Sequence, residues 1–253
     1  YLAASILDMD WHTLPAGAGL ALGLPSDELM RLVTTLWSQE LTQQRHWHAY
    51  AQLLAPKLAR FDHDFALRSE RPIVQRLEEA FGDLRLQDLR LPLRVAATVA
   101  ATGAPVVLHR GPVVRAVQAS MAVPFLWPSV EIGGERLVDG ALSDPLPVAA
   151  ASDALVVLAL GFAGDMPRSL KRPASLVAQV STTLINNLTE ARLAAARARG
   201  QTLIELAPLW PRRIGLWETQ ALPLAFEAGR AAALAALPAI ERTLRARVGR
   251  QAA

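Results

Sequence analysis

The chain has 253 residues, of which 52% are apolar and 19% charged, with no cysteine and a formal net charge of +3. That composition suits one domain with a sizeable buried core, and it excludes a disulfide framework, a thiolate metal site and a nucleic-acid-binding charge footprint. The longest strictly apolar run, Ala154 to Gly164, is about half of the roughly 20 residues that a membrane span requires.

The opening Tyr1 to Leu7 has no initiator Met and no basic n-region, and it reads as a helix, so the chain is expected to be cut at its N-terminus. Asp8 to Gly23 mixes Trp11, His12, Pro15 and three glycines and reads as a loop. Its Gly17, Gly19 and Gly23 have a superficial likeness to a cofactor loop. No apolar strand precedes them and no strand-ending acid follows about twenty positions later, so dinucleotide binding is set aside. Leu24 to Leu36 begins a helix, with Ser26 as N-cap, Asp27 and Glu28 in the first turn, and Leu29, Leu32, Val33 and Leu36 at helical spacing.

Residues 37 to 90 form the most polar part and read as helical pieces capping a core. His46, His48, Asp62, His63 and Asp64 lack the spacing of a metal site, since residues two apart on a helix point to different faces. The aromatic residues Trp37, Trp47, Tyr50, Phe61 and Phe65 read as packing, with a lipid-facing patch as the functional alternative. Leu93 to Ala101 has the small and β-branched character of a strand buried on both faces, and Pro105 to His109 follows as a second strand.

The densest information lies between Arg115 and Val148. A helix ends at Ala119-Ser120, Pro124 and Pro128 break an apolar turn, and Val130 to Ile132 and Arg136 to Val138 flank the hairpin glycines Gly133 and Gly134. Asp139 then leaves a strand end directly into Gly140 and Ala141. A carboxylate so placed sits where α/β folds put chemistry, because backbone and substrate can approach closely there. An ordinary Asp-Gly turn is the structural alternative.

The whole stretch resembles the second signature block of the patatin-like phospholipase family: Ala119-Ser120-Met121-Ala122-Val123-Pro124, Trp127-Pro128, Gly133-Gly134, Asp139-Gly140-Ala141 and Pro147-Val148. The resemblance implies a three-layer α/β/α fold with a central, mostly parallel sheet, and a Ser-Asp dyad in which Asp139 is the acid, with Gly140, Ala141, Ser120 and Pro124 supporting the motif. It implies a lipid or acyl-ester substrate, peripheral membrane contact, no cofactor and no metal, in a bacterial protein of the cytoplasm or the membrane periphery.

In the family, the nucleophile elbow G-x-S-x-G is followed by a small apolar helix that Tyr1 to Leu7 resembles, so the serine is expected just upstream of Tyr1. Neither that elbow nor the glycine-rich oxyanion loop occurs in the chain. Residues 1 to 253 are therefore read as one patatin-like domain without its first strands, its oxyanion loop and its nucleophile, inactive by itself. The strands Val95 to Ala100 and Leu155 to Leu160 are expected to have unpaired edges. The family usually carries a polar residue, often Asp, in the equivalent of Ala97 to Ala100, and the present sequence departs from that.

Asp153 to Leu160 reads as another buried strand, Ser175 to Arg199 as a long helix, Thr202 to Leu206 as the last strand, and Leu224 to Leu244 as a closing helix broken at Pro238. A Ser-His-Asp enzyme of the α/β-hydrolase type fails on order, because it needs a histidine after the acid and the last one here is His109. Two functions remain: an acyl hydrolase working through Asp139, and a non-catalytic lipid- or partner-binding module that keeps the fold.

Overall fold

The computed structural model describes residues 2–4, 13–36, 66–161, 164, 166–167, 173–209 and 218–251. The chain divides into two compact units, Tyr1–Ser5 with Asp10–Asp144, and Ile6–Met9 with Pro145–Ala253. The histidine pairs and the aromatic residues at 37 to 65 lie outside the described residues.

The first unit is built on β2 (Leu93–Val99), whose side chains are almost all buried, as its sequence predicts. It pairs antiparallel with β3 (Pro105–Leu108), Val95 opposite Leu108 and Thr98 opposite Pro105. It pairs parallel with β1 (Leu2–Ala4), Ala4 opposite Val95. It pairs antiparallel with β5 (Glu135–Asp139), Ala97 opposite Asp139 and Val99 opposite Leu137. A strand residue has one neighbour on each edge. Val95 is shared by β1 and β3, and Ala97 by β5 and β3. Thus β3 takes one edge, while β1 and β5 take successive stretches of the other. Their C-terminal ends converge at Ala96. β4 (Val130–Ile132) completes the sheet beside β5, and the hairpin between them turns at Gly133 and Gly134, both with positive φ.

Three sequence readings change here. Leu2–Ala4 is a strand and not part of a helix. Three apolar residues are too few for periodicity to separate the two, and the edge of β2 decides it. β2 is paired on both edges, so the unpaired edge expected at Val95 to Ala100 is absent. The α/β class holds, but the pairings are mixed rather than mostly parallel, because hairpin-linked strands must run antiparallel.

Of the stretch Asp8 to Gly23 read as a loop, the described part from Thr13 to Leu22 is helix α1. Glycine inside a helix costs about 1 kcal/mol relative to alanine, and packing offsets it: a Cβ on Gly19 would lie 2.7 Å from Leu29 Cδ1. Gly23, with φ +85°, ends the helix. The Leu24 N–H bonds the Gly19 carbonyl and the Gly23 N–H bonds that of Leu20, which is a Schellman motif. Then come α2 (Ser26–Leu36), α3 (Arg71–Phe81) and α4 (Val113–Ser120). The Leu29 N–H bonds the Pro25 carbonyl, so Ser26 is the first helical residue and not the N-cap read from the sequence. Ala119, Ala122, Val130, Leu137 and Ala97 form the core between α4 and the sheet.

The second unit contains β6 (Val157–Leu160), α5 (Pro173–Ala198), β7 (Leu203–Leu206) and α6 (Leu222–Gln251). β6 and β7 are parallel, and β6 has no other partner among the described residues. Its burial alternates, with Leu158 and Leu160 exposed, so it is not covered on both faces as its apolar run suggests. α6 runs through Pro238 instead of breaking there. The carbonyl that loses its partner is that of Leu234, four residues back, on an exposed part of the helix where water can bond it. No described helix is long and apolar enough to cross a membrane.

Candidate active site

Asp139 is the last residue of β5, and the chain turns at once into a 3-10 turn, Gly140–Leu142. The side chain is buried, and its Oδ1 accepts the Ala141 N–H at 2.7 Å. Its Oδ2 makes no hydrogen bond among the described residues. Burial disfavours the charged form more than the single amide donor favours it, and the carboxyl is pushed up from 3.8 to about 7. A base poised there can take and return a proton at neutral pH.

The backbone of Asp139 is held on two sides. Its N–H donates to the Ala122 carbonyl at 3.0 Å. Its carbonyl accepts from Thr98 Oγ1 at 2.7 Å. Thr98 Oγ1 also lies 2.8 Å from Ser143 Oγ. Because the one proton of Thr98 goes to the carbonyl, Ser143 is the donor in that second bond. Thr98 and Ser143 thereby tie the start and the end of the turn together, both buried. Asp144, also buried, closes the turn by donating its N–H to the Gly140 carbonyl at 2.9 Å.

Gly140 answers to a neighbour rather than to a ligand. A Cβ there would lie 2.5 Å from the carbonyl oxygen and 2.7 Å from the carbonyl carbon of Ala96. Ala141 contributes its amide, and its small side chain is buried. The sequence-predicted residues Asp139, Gly140 and Ala141 thus form one unit. Ser120 ends α4 and is buried, and its hydroxyl makes no hydrogen bond among the described residues. The hydroxyls that position the Asp139 turn are those of Thr98 and Ser143, which sequence reading missed. The signal was present in part, since Thr98 is a lone hydroxyl in an otherwise small and apolar run, Val95 to Ala100.

Pro124 is half-buried in the loop after α4. Its neighbour Phe125 has φ +70°, the only positive φ of a non-glycine residue among the described residues, and is 62% exposed. The loop is fixed by the Leu67 and Arg68 N–H groups, which donate to the Phe125 and Leu126 carbonyls at 2.8 and 3.1 Å. A small cavity opens next to it between Ile73, Leu77, Met121 and Trp127, where Gln118 Nε2 donates to Glu70 Oε2 at 2.7 Å. Those polar groups satisfy each other, which leaves the cavity apolar.

Among the described residues no three His, Asp or Glu side chains converge as metal ligands. The proton acceptor needs no metal to reach a neutral pKa, so any ester hydrolysis is expected to persist in excess chelator. Loss on chelation, with recovery on adding back one metal, would contradict this.

Residues 15–152 match the model of the patatin-like phospholipase family, a span that contains Asp139 and its turn. Similar curated proteins are uncharacterized NTE family proteins of Mycobacterium bovis and Mycobacterium tuberculosis, each 32% identical over 113 residues. That alignment covers 45% of the present chain and 29% of the relatives, so the chain spans well under two thirds of their length. With more than half of its length inside the family match and a buried strand-end carboxylate at the motif's centre, the chain belongs to the patatin-like phospholipase family.

Proposed function

We propose that this protein is a serine acyl hydrolase that cleaves fatty-acyl esters through a Ser-Asp dyad, with Asp139 as the acid/base. The observation that carries the reading is the state of Asp139: buried, near-neutral in pKa, with Oδ1 held by Ala141 and Oδ2 open. The serine Oγ adds to the ester carbonyl as its proton passes to Asp139. That proton then goes to the departing alkoxide as the ester bond breaks and an acyl-serine forms. Water repeats the sequence in reverse, giving the free acid and restoring the serine.

The nucleophile is the serine expected upstream of Tyr1, since no G-x-S-x-G elbow occurs within the 253 residues. The C-terminal ends of β1 and β5 converge on Ala96, from Val95 on one side and Ala97 on the other. Ser5 follows Ala4 in sequence and lies outside the described residues. Ser5 is the alternative within the chain.

The non-catalytic reading draws on one feature: Ser5 is followed by Ile6 and Leu7 instead of an elbow glycine. A fluorophosphonate probe separates the three. Residues 1 to 253 are expected to take up none, and a chain extended upstream of Tyr1 to take up one probe. Labelling of residues 1 to 253 that Ser5→Ala abolishes would move the nucleophile to Ser5. No labelling of either would favour the binding module.

A further inference from the structure

The pairing of β2 leaves a gap at Asp139. The Val99 N–H bonds the Ala104 carbonyl, in register with β3, and the Ala100 N–H bonds that of Arg136, in register with β5. Backbone groups point to opposite edges at successive residues, so the odd residues of β2 bond toward β3 and the even ones toward β5. Ala97, the residue opposite Asp139, is an odd one and bonds toward Val106 of β3. The sheet ladder therefore gives the amide and the carbonyl of Asp139 no partner on the central strand.

Two groups from elsewhere in the first unit fill that gap. The Ala122 carbonyl accepts the Asp139 N–H, and Thr98 Oγ1 donates to the Asp139 carbonyl. Among the described residues, Thr98 is the only side chain that bonds Asp139. Its hydroxyl is directed in turn by Ser143 Oγ, whose donated proton leaves that of Thr98 for the carbonyl. Thr98 and Ser143 are 3% and 8% exposed, so water competes little for these bonds.

The Asp139 carbonyl belongs to the peptide plane that leads into Gly140, and Ala141, whose N–H holds Oδ1, follows directly. Turning that plane moves Ala141 and redirects the carboxyl with it. Proton transfer tolerates little of this, since a misplacement of about 1 Å costs about a hundredfold in rate.

We propose that Thr98 and Ser143 are positioning residues of the hydrolase, a buried hydroxyl pair that fixes the direction in which the Asp139 carboxyl meets the nucleophile. The inference rests on the Ser-Asp reading and adds two residues to it. The test is turnover of a short p-nitrophenyl ester by the chain extended upstream of Tyr1, with Tm measured on the same samples. Thr98→Val keeps the shape of the side chain without its hydroxyl, and kcat is expected to fall about ten- to a hundredfold with KM unchanged. The pH midpoint of activity should stay near 7, because the lost bond reaches the carbonyl and not the carboxyl. Thr98→Ser restores the donor but deletes a buried methyl, so it should turn over like the parent while its Tm falls. Ser143→Ala should lower kcat by less than Thr98→Val, because Thr98 keeps its bond to the carbonyl.

Activity that follows the hydroxyl and not Tm separates positioning from a merely structural part. Parental kcat in Thr98→Val, or a loss in Thr98→Ser as large as in Thr98→Val, would overturn the inference and leave the dyad standing. Should Thr98→Val not fold, the other two variants decide: a slow Thr98→Ser or a Ser143→Ala with parental kcat would overturn it equally. A parent that hydrolyses no ester would sink the dyad reading and this inference together.

Discussion

Asp139→Asn, in the chain extended upstream of Tyr1, is expected to lower hydrolysis of a short p-nitrophenyl ester by about 10² to 10⁴, the usual contribution of a positioned general base. Asparagine keeps the shape, and its Oδ1 still accepts the Ala141 N–H, but it cannot take a proton. Activity of the parent should rise with pH through about 7 as Asp139 ionises. Stability should move the other way. The carboxyl stays neutral in the folded chain up to about 7 and ionises near 3.8 when unfolded. The folded state therefore binds the extra proton between those values, and stability falls as pH rises through that window, by about 4 kcal/mol at most. Below 3.8 and above 7 this contribution is flat.

The asparagine variant lacks that slope, so above pH 7 its melting temperature should exceed the parent's while its activity is lost. A residue with only a structural role would not separate the two. A variant that keeps near-full activity, or one that retains the parent's pH slope in stability, would place the base elsewhere.

Gly140→Ala is expected to be the most disruptive single methyl group in the site. The new Cβ would meet the Ala96 carbonyl at 2.5 Å, and that carbonyl belongs to the backbone of the central strand, which cannot swing aside like a side-chain tip. Relief requires β2 and the Asp139 turn to part. Overpacking of this kind costs about 3 kcal/mol, or roughly 6–12 °C in Tm for a domain of this size. Movement of the turn also breaks the Thr98 bond to the Asp139 carbonyl, so activity should fall by more than stability explains. Differential scanning calorimetry and ester turnover measured on the same sample check it. An unshifted Tm would mean that Ala96 has room to move.

The sequence by itself determined the elements whose signals are local. The Gly133-Gly134 hairpin, the buried character of β2 and the Asp139 strand end all depend on turn chemistry or residue type within a few positions, and they stand as read. The family is legible for the same reason, because its motif is one continuous stretch.

What the tertiary structure decided depends on partners distant in sequence. Leu2–Ala4 is a strand because the edge of β2 is there to pair with it. Gly19 is tolerated in a helix because Leu29 and Leu32 pack against it. Gly140 is required by Ala96, and Asp139 is held by Thr98, 41 residues earlier. No periodicity or spacing encodes those contacts. A strand's sequence states which faces can be buried, but which edge it meets, and whose carbonyl its hydroxyl reaches, is fixed only when the chain closes on itself.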